Sequence, residues 1–187
     1  MRISVLTFKN RQSGVALVTG LIFMVVMTII VIAALRSATL EERMAANARN
    51  RQVALQAAEA AVRDAEVEIL AGGAPFDPFT KGDFGADCKA TVATKGLCRK
   101  PASGDAPRWQ NEAIWGDDTS RVAATAIDPD LVSAAPRYIV EIVNTPVRMA
   151  GMSTCPTVLY RITARGQGQD NSTVFVQTMV RHLPVGC

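Results

Sequence analysis

The sequence predicts an α+β fold: a long N-terminal membrane-spanning helix packed on a C-terminal antiparallel β-sheet. Three observations lead there. Residues 21–71 contain neither glycine nor proline, so a helix can run through them unbroken. No charged residue lies between Arg11 and Arg36. Three late segments, Tyr138–Val143, Val158–Arg165 and Thr173–Val180, alternate apolar and polar residues with the period of two that marks a half-buried strand.

The apolar element comes first. Residues 15–35 read VALVTGLIFMVVMTIIVIAAL, interrupted only by Thr19, Gly20 and Thr28. As a helix they span about 31 Å, the thickness of a bilayer's hydrocarbon core. A core helix of a soluble protein carries a polar stripe, and none is present. Arg2, Lys9 and Arg11 precede the segment without an acidic residue, a bias that predicts a cytoplasmic N-terminus with the rest of the chain across the membrane. The competing reading is a secretory signal cut near Ala33–Ala34 or Ala38. Such signals have a shorter apolar region, about 7–15 residues.

The helix is expected to continue to residue 71. Eleven of residues 36–71 are alanine, the best helix former. Leu40, Met44, Ala48, Leu55, Ala58, Val62, Ala65 and Ile69 recur at helical spacing and predict one buried face, with most charged residues elsewhere. Gly72-Gly73 followed by Pro75 is a stop signal. The predicted organisation is a basic leader (1–14), a helix of about 85 Å over 15–71 (15–35 transmembrane, 36–71 amphipathic), and a globular domain over 72–187.

Within that domain, residues 72–136 are rich in Gly, Pro and Asp and predict irregular chain with one short helix near Gln110–Trp115. Gly166–Ser172 (GQGQDNS) predicts the turn of a hairpin. The sheet's apolar face should receive the amphipathic half of the helix. The four cysteines, Cys88, Cys98, Cys155 and Cys187, all lie beyond the span, in what would be an oxidising compartment. A turn centred about residue 169.5 sets Val158 opposite Arg181 and brings Cys155 within reach of Cys187, while Cys88–Cys98 closes a short loop. Together these pairings are the favoured one of the three connectivities that four cysteines allow.

Composition limits the chemistry. The chain has 187 residues, 49% of them hydrophobic, which suits one folded domain with an extra segment and argues against disorder. A net charge of +3 from 20 basic and 17 acidic residues gives no case for nucleic acid. His182, the single histidine, excludes a multi-histidine metal site, and its place beside Arg181 at a strand end predicts a surface position. Asp117, Asp118, Asp128 and Asp130 read as solvated turn carboxylates rather than calcium ligands. Trp109 and Trp115 read as core. No catalytic, P-loop, dinucleotide or zinc-protease motif is present, so no catalytic residue, cofactor or metal is predicted.

One short motif carries chemistry as a substrate. Ser13-Gly14 ends the basic segment, and a glycine there leaves the backbone open to a protease. A cut after Gly14 removes three basic residues and no acidic ones, leaving 17 of each sign. The leader, the glycine, the apolar helix running into an amphipathic one and the small cysteine-bearing sheet domain resemble type IV pilins and pseudopilins. LEERMAANARNRQ (Leu40–Gln52) and ALQAAEAAVRDAE (Ala54–Glu66), with YRITARGQG (Tyr160–Gly168) before a strand, resemble the PilX-type minor pilins.

That resemblance implies a pilin-like fold and no enzymatic activity. It implies cleavage after Gly14 by a prepilin peptidase and N-methylation of Val15. Pilins usually carry glutamate at the fifth mature position, where it is thought to neutralise a neighbour's terminal amine. Thr19 stands there, which suggests a subunit at or near the filament tip, in a priming complex for pilus assembly. The small residues Gly20, Ala33 and Ala34 allow close helix packing. Implied partners are other minor pilins, the major pilin, the peptidase, the inner-membrane assembly platform and membrane lipid before assembly. Implied localisation is the inner membrane with a periplasmic domain, then the pilus at the cell surface. An adhesive role would fall to residues 72–136. The alternatives are a tip pseudopilin of type II secretion, which usually has a much larger domain, and a membrane-anchored periplasmic enzyme.

Overall fold

The computed structural model describes residues 13–72, 76, 84–89, 94–125, 127–143, 147–148 and 156–182. The chain divides into two compact units, residues 1–46 and 47–187. One helix, α1 (Ser13–Ala71), contributes to both. It ends where Gly72 adopts the left-handed conformation (φ 67°) and donates its N–H to the Ile69 carbonyl (3.3 Å), the termination expected of a glycine after the last helical turn.

In the first unit, residues 14–46 of α1 are exposed throughout. In the second, burial begins at Asn50 and is complete at Ala54, Ala57, Ala58, Ala61, Ala65 and Ile69. The face read in the sequence is buried at Ala58, Val62, Ala65 and Ile69. Leu40, Met44 and Ala48 are exposed, and Leu55 lies at the margin with 38% exposure. The reason is size. Alanines at the contact bring the helix backbone close to the sheet, and the larger Leu55 is displaced to the side.

The sheet has six strands: β1 (Leu97–Arg99), β2 (Arg121–Val122), β3 (Val132–Ile142), β4 (Val147–Arg148), β5 (Pro156–Gly168) and β6 (Thr173–His182). β5 is central and antiparallel to β3, β4 and β6. β2 is antiparallel to β3, but β1 is parallel to it, so the sheet is mixed rather than wholly antiparallel. The parallel strand lies inside the stretch expected to be irregular. So do β2, the start of β3, and two 3-10 turns, Arg108–Gln110 and Glu112–Trp115, the second where a short helix was expected. β1 and β2 are too short to show a period, and the early part of β3 is interrupted by Pro136 and two register shifts.

The period of two in β3 and β5 sorts their side chains between two cores. Tyr138, Val140, Tyr160, Ile162 and Ala164 face α1 and pack with Val62, Ala65, Ile69, Phe76 and Phe84. Ile139 faces the other way, into a smaller core with Cys88, Cys98, Ile114 and Trp115.

The hairpin register differs from the expected one by a single residue. Val158 pairs with His182, not Arg181. The turn centres on Asp170, which adopts φ 58° within the 3-10 turn Gln169–Asn171. A one-residue slip exchanges the faces of a strand. His182 is consequently buried, at 4% exposure beside the Tyr160 ring, instead of lying on the surface, and Arg181 takes the exposed position.

Candidate functional site

Three regions of the described structure bear on function: the apolar end of α1, the seam where α1 meets the sheet, and the opposite sheet face. Gly14 and Val15 lie in the first turn of α1, with open space around Gly14 and Val15 65% exposed. The Thr19 hydroxyl donates to the carbonyls of Val15 (2.9 Å) and Ala16 (3.1 Å), and Thr28 donates to that of Val25 (2.7 Å). Both hydroxyls are thus satisfied within the helix, as an apolar surrounding requires. Gly20, Ala33 and Ala34 are exposed, as are the large apolar residues from Val15 to Leu35. This is a helix long and apolar enough to cross a membrane, with its surface unburied. Such a surface is satisfied by lipid or by other apolar helices. The leader residues Arg2, Lys9 and Arg11 lie outside the described residues.

At the seam, two glycines of β5 set the spacing. A Cβ on Gly166 would stand 2.6 Å from the Ala58 nitrogen and inside the Ala54 carbonyl oxygen, and one on Gly168 would overlap the Asn50 carbonyl oxygen. Polar contacts hold the same seam. Asn50 Nδ2 donates to Asp170 Oδ2 (2.9 Å), and the Thr125 N–H and hydroxyl both donate to Asp64 (2.7 Å each). Glu68 pairs with Arg121 and accepts from the Tyr138 hydroxyl (2.8 Å). Burial, then the Glu68 carboxylate, push the Tyr138 phenol well above its usual range, so it stays a donor. None of these contacts was read from the sequence. Glycines at alternate positions of a strand were the available signal, since they mark close backbone approach.

On the opposite face the sulfurs of Cys88 and Cys98 are bonded, the short-loop pairing favoured from the sequence. Cys155 and Cys187 lie outside the described residues. Trp115 is buried and donates Nε1–H to the Trp109 carbonyl (3.1 Å), and both rings lie 5.4 Å from that of Phe175. Glu141, 1% exposed, sits between Arg161 (3.6 Å) and Arg108 (3.8 Å). Burial raises its carboxyl above the usual range, and the two guanidiniums act against that rise.

Among the described residues no group of three His, Cys, Asp or Glu is disposed to hold a metal. Asp117 is exposed, and the Arg137 guanidinium holds its carboxyl below the usual range; Asp128 accepts the Asp130 N–H (3.0 Å) in a turn. A cleft of about 540 Å³ at the hairpin tip, lined by Asn47, Arg51, Trp109, Asp170, Ser172 and Phe175, is open to solvent. His182 is buried beside the Tyr160 ring, and burial lowers its pKa.

Two family models match this chain. Residues 13–63 match PilX N-terminal, and residues 94–182 match Type IV pilus assembly protein PilX C-term. No curated protein and no solved structure matches it. The first match covers the apolar helix and the start of the seam, and the second covers all six strands. A long apolar helix packed by its later turns on a sheet is a pilin-like arrangement, and the chain belongs to the PilX family, as a minor pilin of type IV pilus assembly.

Proposed function

We propose that this minor pilin is cut after Gly14 by a prepilin peptidase, methylated on Val15, and joins a tip-proximal complex that primes pilus assembly. The observation that carries the reading is Thr19, whose hydroxyl is spent on the carbonyls of its own helix. It offers no carboxylate to a neighbour's terminal amine. A charge buried without a partner is costly, so the chain is poorly suited to sit beneath another subunit and well suited to lead. Assembly is then driven by lateral packing of the apolar helix, in lipid first and among other helices afterwards, with Gly20, Ala33 and Ala34 allowing close approach. The Cys88–Cys98 bond suits a domain exported to an oxidising compartment, hence a cytoplasmic leader and a periplasmic domain. The role is structural, and other pilins are the partners.

The test is the N-terminal mass of the protein in sheared pili, with the piliation of a deletion strain. A peptide beginning at N-methyl-Val15 and loss of pili on deletion are expected. A chain that retains its leader in pili, or a deletion strain with normal pili, overturns the reading.

A further inference from the structure

β6 is an open edge of the sheet: among the described residues it pairs only with β5. The Gly168 N–H donates to the Ser172 carbonyl (2.9 Å), and the ladder then runs without a register shift from Gln167↔Thr173 to Val158↔His182. Antiparallel partners alternate between pairs that exchange hydrogen bonds and pairs that do not. With Gly168 and Ser172 a bonded pair, Val174, Val176, Thr178 and Val180 direct their N–H and C=O groups at β5. Phe175, Gln177, Met179 and Arg181 direct theirs to the open side. The other flank of β5 agrees: the Val143 N–H donates to the Leu159 carbonyl (2.9 Å), so odd-numbered residues of β5 serve β3 and even-numbered ones serve β6.

Exposed edges are normally blunted by charged side chains, proline or a bulge. The sequence of β6, TVFVQTMVRH, has no charged residue before Arg181 and no proline, and its ladder has no bulge. Both of its faces are also incompletely covered. Phe175 and Met179 are 37% and 55% exposed on the outer face, and Val176 and Val180 are only half-buried on the helix side.

From this edge we infer that β6 accepts an extended strand from a different subunit of the same pilus, whose backbone pairs with Phe175, Gln177, Met179 and Arg181. The inference rests on the assembly reading above. The partner strand is apolar at alternate positions, to complete the cover of Phe175 and Met179 on one face and of Val176 and Val180 on the other. It carries a carboxylate opposite Arg181, whose side chain is exposed. A second copy of this chain fits poorly. Two β6 edges paired symmetrically are antiparallel. The α1 segment from Asn50 to Ala58 runs alongside Gly168 and Gly166, hence antiparallel to β5 and parallel to β6. A symmetric pair would point the two α1 segments in opposite directions, whereas subunits of one filament run the same way.

Gln177→Pro removes one outward N–H and no bond of the β5 ladder, a placement that edge strands tolerate. Gln177→Ala loses the same side-chain bond to Thr163 Oγ1 (2.9 Å) but retains the N–H. The full-length chain, with a photo-crosslinking residue at Met179, is expressed in cells that make the whole pilus. The expected adduct joins position 179 to a strand of another pilus subunit, persists with Gln177→Ala and is lost with Gln177→Pro. Melting of each full-length variant in detergent monitors folding. Should Gln177→Pro melt early, Met179→Pro against Met179→Ala with the crosslinker at Phe175 supplies the same comparison. Absence of an adduct, an adduct with a second copy or with a protein outside the pilus, or equal loss in the alanine and proline variants overturns the inference. A deletion strain that still makes pili overturns the assembly reading instead. Full rescue of a non-piliated deletion strain by Gln177→Pro overturns edge pairing alone.

Discussion

Gly166 of β5 presses its bare Cα against Ala58 of α1, so closely that a β-carbon there would stand 2.6 Å from the Ala58 nitrogen. The neighbouring atoms are helix backbone and cannot rotate away. Gly166→Ala must therefore lift the helix from the strand or strain both, at a cost of about 1–3 kcal/mol or more. Gly116→Ala is the control, because its added carbon meets nothing nearer than 3.6 Å. Urea midpoints of the full-length variants in detergent check the difference; equal midpoints would mean that the seam can open without penalty.

Glu141 joins β3 to Arg161 of β5 and to Arg108 of the first 3-10 turn. Glu141→Ala leaves two guanidiniums facing a buried gap, with a loss of about 3 kcal/mol, at the low end for a broken buried pair because both arginines reach solvent. Glu141→Gln retains an acceptor oxygen and carries no charge to be desolvated at the buried position, so its loss is smaller. The order Ala worse than Gln, read from denaturation midpoints at constant slope, is the check.

His182 makes stability depend on pH. Burial lowers its pKa from the ordinary 6.5. As pH falls through that ordinary value, the unfolded chain takes up a proton that the folded chain still resists. The stabilisation is therefore complete above about 6.5 and is lost as pH drops through the lower folded value. His182→Gln flattens the profile in that window while carboxylates still act below it. Thermal melts at pH 7.5 and 5.5 would expose a mistake if wild type and His182→Gln fell by the same amount.

The Cys88–Cys98 bond spans a sequence separation of only 10 residues, so it restricts little of the unfolded chain. Cys98→Ser with Cys88→Ser should cost about 2–3 kcal/mol, the range for a short loop. Both sulfurs sit in the smaller core with Ile114 and Trp115, so near-ultraviolet circular dichroism of the Trp115 environment should change with the midpoint. A shift in midpoint with an unaltered spectrum would confine the effect to the unfolded state.

What the sequence disclosed followed from regular periods. The helix could be read because residues 21–71 hold no breaker, and β5 and β6 because ten consecutive pairs keep the alternation. Where a contact depends on atoms that are missing, the pattern is incomplete: the buried helix face keeps the expected Ala58, Val62, Ala65 and Ile69 but also takes in the small Ala54, Ala57 and Ala61, with Ala54 and Ala58 against Gly166, and leaves Leu55 at its margin. His182 was misplaced because Asp170 takes a left-handed conformation and makes the loop odd in length, which no local preference announced. β1 was hidden for a different reason. Three residues have no visible period, and the strand is fixed by its bridge to β3 and the bond through Cys98.

Gly14 and Thr19 lie five residues apart in the chain and should separate sharply in function. Gly14→Val adds a branched side chain at the proposed cut and should block leader removal, leaving a precursor of higher mass and no incorporation into pili. Thr19→Val replaces a hydroxyl already satisfied by the Val15 and Ala16 carbonyls with a methyl group of the same shape. An apolar surrounding accepts that change at little cost. Maturation, pilus number and incorporation should all match wild type. Loss of incorporation in Thr19→Val would show that the hydroxyl has a partner on another chain, and the case for a leading position would fall with it. Thr19→Glu adds a third arm: a carboxylate with no terminal amine above it is buried unpaired, so a leading subunit should incorporate worse than wild type. Better incorporation, counted as copies per pilus by quantitative mass spectrometry, would place the chain beneath other subunits.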